Sequence, residues 1–331
     1  MNNITTNLNP GEIITTDVNT KVKVGIADKY DFGQKLRDET AAVRMHLPKF
    51  GVTKRLEKSQ KQTMADVYGA SGDAITAGKK LVDTQHPAYK AVTSVQGNAR
   101  KLWIALTVPH PESGYRLIRK KTIEQFDVLI GDIKIELESA ILKLDSHYEH
   151  LLECAKDKLG ELYNAADYPA TLIGEFEISV DYPPIDPPEY LKQLNPKLYE
   201  REVERVRGQF NTAVKLAEAA FLEEFSKLVS HLCDKLSGDE DGKKKVFRNS
   251  ALTNINEFVE RFRELNIGNN GELDSLVETV EKLVDGVSPG DLRGDELQGQ
   301  IVGKGMADVA RSLDEMMVEA PKRMLRGFNN E

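Results

Sequence analysis

The chain has 331 residues, 40% of them hydrophobic and 30% charged, with a formal net charge of −8. That is room for one large or two ordinary domains, in a composition typical of a folded, helix-rich, soluble protein rather than a disordered one. No apolar run approaches the roughly 20 residues that span a bilayer, and the N-terminal MNNITTNLNPGEI has neither a basic stretch nor an apolar core, so no secretory signal is expected and the expected setting is the cytoplasm.

Residues 1–20, rich in Asn and Thr, read as a flexible N-terminus. Residues 21–121 read as a basic, helical N-terminal region. Within it, Lys21–Ala27 alternates in period two and suits a short strand. Gln34–Met45 suits a short helix that stops before Leu47-Pro48. Thr53 is placed to cap a helix over Lys54–Tyr68 that Gly69 ends, and small residues suit a further helix over Ala70–Val82. Pro87, in a first turn, opens a stronger helix to about Thr107 that carries Tyr89, Val92, Val95, Leu102 and the only tryptophan, Trp103. Pro109 and Pro111 break it, and Gly114–Lys121 reads as an extended connector.

The stretch Thr122–Ala165 reads as one unbroken amphipathic helix. Phe126, Ile130, Ile133, Leu137, Ala140, Leu144, Tyr148, Leu151, Ala155, Leu159 and Leu162 recur at steps of three and four, with Asp, Glu and Lys between them. Such a helix is about 65 Å long at about 1.5 Å per residue. Pro196–Leu236 has the same rhythm through Val203, Val206, Phe210, Ala213, Ala217, Phe221, Phe225, Leu228 and Leu232. The expected fold is therefore mainly α: an elongated helical bundle built on a long antiparallel hairpin over residues 122–236, with a small β and Pro-rich tip at 166–195. In the tip, Leu172–Val180 alternates as a strand, and the prolines at 183, 184, 187 and 188 exclude helix or central strand.

Beyond the hairpin, Ser237–Lys245 reads as a linker and residues 246–331 as C-terminal helices. The first runs from a cap at Asn249 or Ser250 to about Leu265, the second over Glu272–Val284. A third region, capped by Ser288 with Pro289 in its first turn, continues with interruptions from about Glu296 to Val318. In a hairpin in register, position i faces roughly 361 − i, which leaves Cys154 and Cys233 far apart by helical rise. Both are expected to be free thiols. Residues 1–121 hold 20 Lys and Arg against 11 Asp and Glu, while the remainder hold 25 against 42. A basic first third fits either nucleic acid or the protein's own acidic helices, and the lack of interleaved aromatics favours the latter.

His147, His150 and Glu153 have the spacing of metal ligands on one helix, but His231 would lie roughly 25 Å further along the rod. With neither HExxH nor CxxC, a solvated face accounts for them better, and no metal is expected. Gly303-Lys304-Gly305 is the nearest approach to a phosphate loop and lies inside a helical pattern; no cofactor and no catalytic residue is expected. The tip has the better claim to function. Tyr168, Phe176, Tyr182, Ile185 and Tyr190 gather aromatic and apolar groups among prolines, a composition suited to protein contact, with a local mini-core as the alternative.

The segment from Trp103 (WIALTVPHPESGYRLI), through the long helix, to LGELYNAADYP (Leu159–Pro169) and FEISVDYPPIDPP resembles an uncharacterised domain family of phages, plasmids and some bacteria. In that family a tryptophan-containing turn similar to TLPW…G.RLLP precedes a long helix, and a stop like lg.lfn..dYP and a strand like F.f…vP follow. Its genes lie beside MoxR- or CobS-like AAA+ ATPases and CobT-like or von Willebrand A-type proteins. The resemblance covers about residues 20–240. The chain departs from it at the turn, where Thr107-Val108-Pro109-His110 has no tryptophan after the proline. The family has no established catalytic residues, so none carries over. The resemblance implies a non-enzymatic, phage-encoded companion of a MoxR-like AAA+ ATPase, acting in the host cytoplasm. The alternatives are a nucleic-acid-associated phage protein using the basic first third and, last, a membrane-active helical protein of the pore-forming type, against which the acids of the tip count. Pairing of the exposed seam with a second copy is a further expectation to test.

Overall fold

The computed structural model describes residues 32–236, 249–266, 270–288, 290, 292 and 296–328, with side chains to 318. The expected strand at Lys21–Ala27, residues 1–20, the linker Ser237–Lys245, Pro289 and the side chains of the basic tail fall outside these. The described chain is mainly helical with a small antiparallel sheet. It divides into two compact units. The first comprises the chain up to Ala42, Thr107–Lys120 and everything from Pro184; the second comprises Val43–Leu106 and Lys121–Pro183. Both units are discontinuous in sequence, where the sequence analysis drew consecutive segments.

In the second unit, helix α2 (Lys58–Val67) follows strand β2 (Thr53–Arg55), and Gln60 Oε1 accepts from the Glu57 amide at its start. β2 pairs antiparallel with β3 (Gly78–Lys80), with Lys54 opposite Lys79. The expected helices Lys54–Tyr68 and Ala70–Val82 are thus corrected: strand pairing takes Lys54 and Arg55 from one and Gly78–Lys80 from the other. Helix α3 (Pro87–Ala105) begins where Pro87 predicts, with His86 Nδ1 accepting from the Ala88 amide.

Helix α4 (Ile123–Asp145) packs along α3. It stops at Asp145, and α5 (Tyr148–Leu159) begins after a turn at Ser146–His147. The single helix Thr122–Ala165 is therefore corrected to two. Ser146 Oγ donates to the Lys143 carbonyl at 2.8 Å, and the Asp145 carboxylate accepts from Thr171 Oγ1 at 2.8 Å and the Leu172 amide at 2.7 Å. These bonds bring the returning chain to the end of α4. The predicted seam itself is buried at Phe126, Ile130, Leu137, Leu144, Tyr148, Leu151 and Ala155. The strand expected over Leu172–Val180 shrinks to β6 (Ser179–Asp181), because Gly174, at φ +89°, turns the chain before it. Leu172, Phe176 and Ile178 are nonetheless buried.

In the first unit, residues 32–39 form helix α1. The helix expected over Gln34–Met45 gives way at Thr40, whose Oγ1 donates to the Leu36 carbonyl, to strand β1 (Thr40–His46). β1 runs from one unit into the other, and in the second its Arg44–His46 pair antiparallel with Asp181–Ser179 of β6. Strands β4 (Thr107–Pro109) and β5 (Tyr115–Arg119) make a hairpin with Thr107 opposite Ile118.

A short α6 (Tyr190–Leu194) leads into α7, which spans Pro196–Leu236 as predicted. Its partners are α8 (Ser250–Leu265) and α10 (Glu296–Phe328), and α10 also packs on α9 (Gly271–Val284). The single hairpin expected over 122–236 is thus replaced by two separate pairings, α4 with α3 and α7 with α8 and α10. Hydrophobic periodicity marks a face for burial without naming what covers it.

The core of the first unit forms around α7. Phe225 stacks on Phe258, and Phe221 meets Phe258 and Phe262 edge-on. α9 is capped by Asn270, whose side chain accepts from the Leu273 amide. Gly305 has a packing role: a Cβ there would lie 2.6 Å from Leu283 Cδ1, so its missing side chain lets α10 close on α9. Phe258→Ala removes a fully buried ring shared by three others. It should lower stability by about 3–5 kcal/mol, read as a fall in the urea midpoint of the helical circular-dichroism signal.

Candidate functional site

The five predicted tip residues are divided between the two units. Phe176 is buried, edge-on to Tyr89. Tyr168 stacks on Tyr163 and donates its hydroxyl to the Leu81 carbonyl at 3.0 Å. Tyr182 is 38% exposed and donates to Asp127 Oδ1 at 2.6 Å; burial and that carboxylate both push its hydroxyl pKa up. These three belong to the second unit. Ile185 and Tyr190 belong to the first, where Ile185 packs on the core while Tyr190 is exposed at the start of α6. Phe176 is thus core and Tyr168 half-buried in the second unit, while Ile185 is half-buried against the core of the first. Tyr182 and Tyr190 remain as surface aromatics.

The segment resembling the stop motif does structural work. Lys54 and Lys79, opposite each other on β2 and β3, both reach the Asp167 carboxylate, at 2.5 and 2.6 Å. The Asp167 and Lys79 side chains are 2% and 6% exposed, and Lys79 Nζ also donates to the Leu162 carbonyl. Two like charges across a strand pair repel, and here one carboxylate between them converts the repulsion into a clamp. Hydrogen bonds from Lys54 and then Lys79 hold the Asp167 pKa below the usual carboxylate range. Nearby, Tyr148 donates to the Pro169 carbonyl, and burial pushes its hydroxyl up to about 12.

Much of the basic first third meets acids within its own unit. Besides the clamp, Arg44 grips Asp181 at 2.5 Å and Arg37 pairs with Asp186 at 2.5 Å. Cations left exposed around β2 and β3 include Arg55, Lys58 and Lys80.

The metal-like spacing on the old seam falls across the helix break. His147, between α4 and α5, packs its ring against His86, while His150 lies 4.0 Å from Glu153. His231 is exposed on α7, in the other unit. Among the described residues, no group of three or more His, Cys, Asp or Glu is arranged to hold a metal ion. Cys154 and Cys233 are both free thiols. A cleft of about 350 Å³ in the first unit is lined by Phe262, Val277, Lys35 and polar groups that already have partners: Asn266 donates to Asp274, Arg263 pairs with Glu281, and Glu278 pairs with Lys282.

The least expected surface is on α4. Opposite its buried seam, Val128, Ile135 and Leu142 are 62%, 68% and 59% exposed. Steps of seven residues drift only about 20° per heptad on a straight helix, so the three lie on one line. Tyr182, bonded to Asp127, and Ile173, next to the Leu172 amide held by Asp145, border one edge of it. The three positions are apolar at heptad spacing in the sequence, a second stripe beside the stronger one that forms the buried seam.

No family model, curated protein or solved structure matches the chain. The reading of the site therefore rests on its own geometry.

Asp167→Asn should lower stability by about 3 kcal/mol at neutral pH, since it leaves a buried lysine without its counter-charge. The sign of the pH dependence follows from the depressed carboxyl. Its contribution is complete above the unfolded value of about 3.9 and is lost as pH falls through the lower folded one. Urea midpoints of the two proteins should therefore converge in acid and separate above it.

Proposed function

We propose that this chain is a non-enzymatic interaction protein, an adaptor or accessory subunit of a MoxR-like AAA+ ATPase encoded by a phage. The observation that carries the interaction reading is the exposed line Val128, Ile135 and Leu142, an apolar helix face with Tyr182 at its edge. A line of large apolar residues held in water at heptad spacing on a folded helix is a candidate surface for protein contact. The choice of partner rests on the resemblance of Trp103–Pro188 to the family encoded beside such ATPases. In this reading the ATPase supplies nucleotide chemistry and this chain supplies recognition.

A second reading, contact with nucleic acid, has the exposed Arg55, Lys58 and Lys80 in its favour, and it requires affinity that falls steeply with salt. For the membrane reading, no described helix is long and apolar enough to cross a bilayer.

Affinity purification of the tagged full chain from its native cells, followed by mass spectrometry, tests the proposal. A AAA+ ATPase should be recovered in comparable amount, and Tyr182→Asp should reduce that recovery without changing helicity. Recovery of nucleic acid in its place, lost as salt rises, would overturn the proposal. Ile185, packed on the core, is unsuited to such a test because its substitution reports on folding.

A further inference from the structure

We propose that the exposed face of α4 is a docking surface for a basic amphipathic helix of the partner protein. The inference rests on the interaction reading above and names the chemistry of what that surface takes. Val128, Ile135 and Leu142 span about 21 Å at about 1.5 Å per residue, the reach of four turns of a partner helix. Between Val128 and Ile135 lies Gly131, where a Cβ would meet nothing within 4 Å. Glycine in a helix interior is unfavourable by about 1 kcal/mol relative to alanine, and no contact within this chain requires its missing side chain. A second helix crossing there would approach closely at that position.

The charge around the line selects the partner. α4 carries Glu124, Asp127, Asp132, Glu136, Glu138 and Asp145 against Lys134 and Lys143. On a helical projection Asp132 and Glu136 flank one side of the apolar line together with Lys143, and Asp127, Glu138 and Asp145 the other together with Lys134, so each side keeps an acidic excess. A second copy of α4 would set this acidic excess against itself. An anionic bilayer would meet the same repulsion. A helix with apolar residues at heptad spacing and Lys or Arg beside them is complementary on both counts.

The test uses the full chain and a designed, fluorescently labelled helical peptide of about 21 residues, with leucines on one face and Lys and Arg on its flanks. A twin carries Glu at the flanking positions. By fluorescence anisotropy the basic peptide should bind more tightly than the acidic one by roughly tenfold or more. Ile135→Gln, at an exposed position, should abolish most of that binding while circular dichroism stays unchanged. The double variant Asp132→Lys and Glu136→Lys should shift the preference toward the acidic twin. Equal binding of both peptides, or full binding by Ile135→Gln, would overturn the proposal. So would a dimer in sedimentation equilibrium, or flotation with phosphatidylglycerol vesicles, that Ile135→Gln abolishes. Recovery of the ATPase with indifferent peptides refutes only the partner chemistry, whereas the peptide preference without the ATPase refutes only the choice of machine.

Discussion

α4 carries apolar residues on two sides and is covered along one. α3 accounts for the side bearing Phe126, Ile130, Leu137 and Leu144, where burial of large side chains contributes about 1.5–3 kcal/mol each. The opposite side keeps Val128, Ile135 and Leu142 in water. No rearrangement within α4 can bury both, because a helix presents each residue in one direction only. The second unit is built around that constraint. The return through Asp145 fastens the segment after α5 to the end of α4, and the apolar remainder lies on the far side.

The clamp also shows how a cluster of cations can be structural. Lys54 and Lys79 face each other across a two-stranded pairing, an arrangement that is unfavourable until an acid is placed between them. Asp167 arrives from far along the chain, in a short turn after α5, held there by Tyr168 and the Tyr148 hydroxyl. A carboxylate enclosed by two ammonium groups is stabilised in its charged form, which is why its proton affinity drops.

How much of this was legible in the sequence varied with the kind of signal. The bounds of α7, α8 and α9 follow from strong periodicity and, for α7, from Pro196, and the structure agrees. The buried seam of α4 and α5 was legible as well. Its partner was not, because two faces with the same rhythm look equally suited to each other. The three short strands β1, β2 and β3 were missed where Ala, Thr and Lys carry little local preference and pairing decides the outcome. Phe176 and Ile185 lie among prolines in the sequence and suit a contact surface or a local core there; prolines set the backbone but not the depth of a side chain. Gly305 resembled a fragment of a phosphate loop, and only the position of Leu283 explains it.

The interleaving of the two units has a consequence for how the protein comes into being. The chain passes between them at Ala42, Leu106, Lys120 and Pro183. During synthesis the second unit cannot close until Asp167 and β6 have emerged. α1 and the β4–β5 hairpin must wait longer still, for α7 and the helices after it. Contacts so distant in sequence slow folding and leave apolar faces uncovered meanwhile. A ribosome halted near the end of α5 would hold a nascent chain with neither core complete, and no single cut in the gene would release either unit intact.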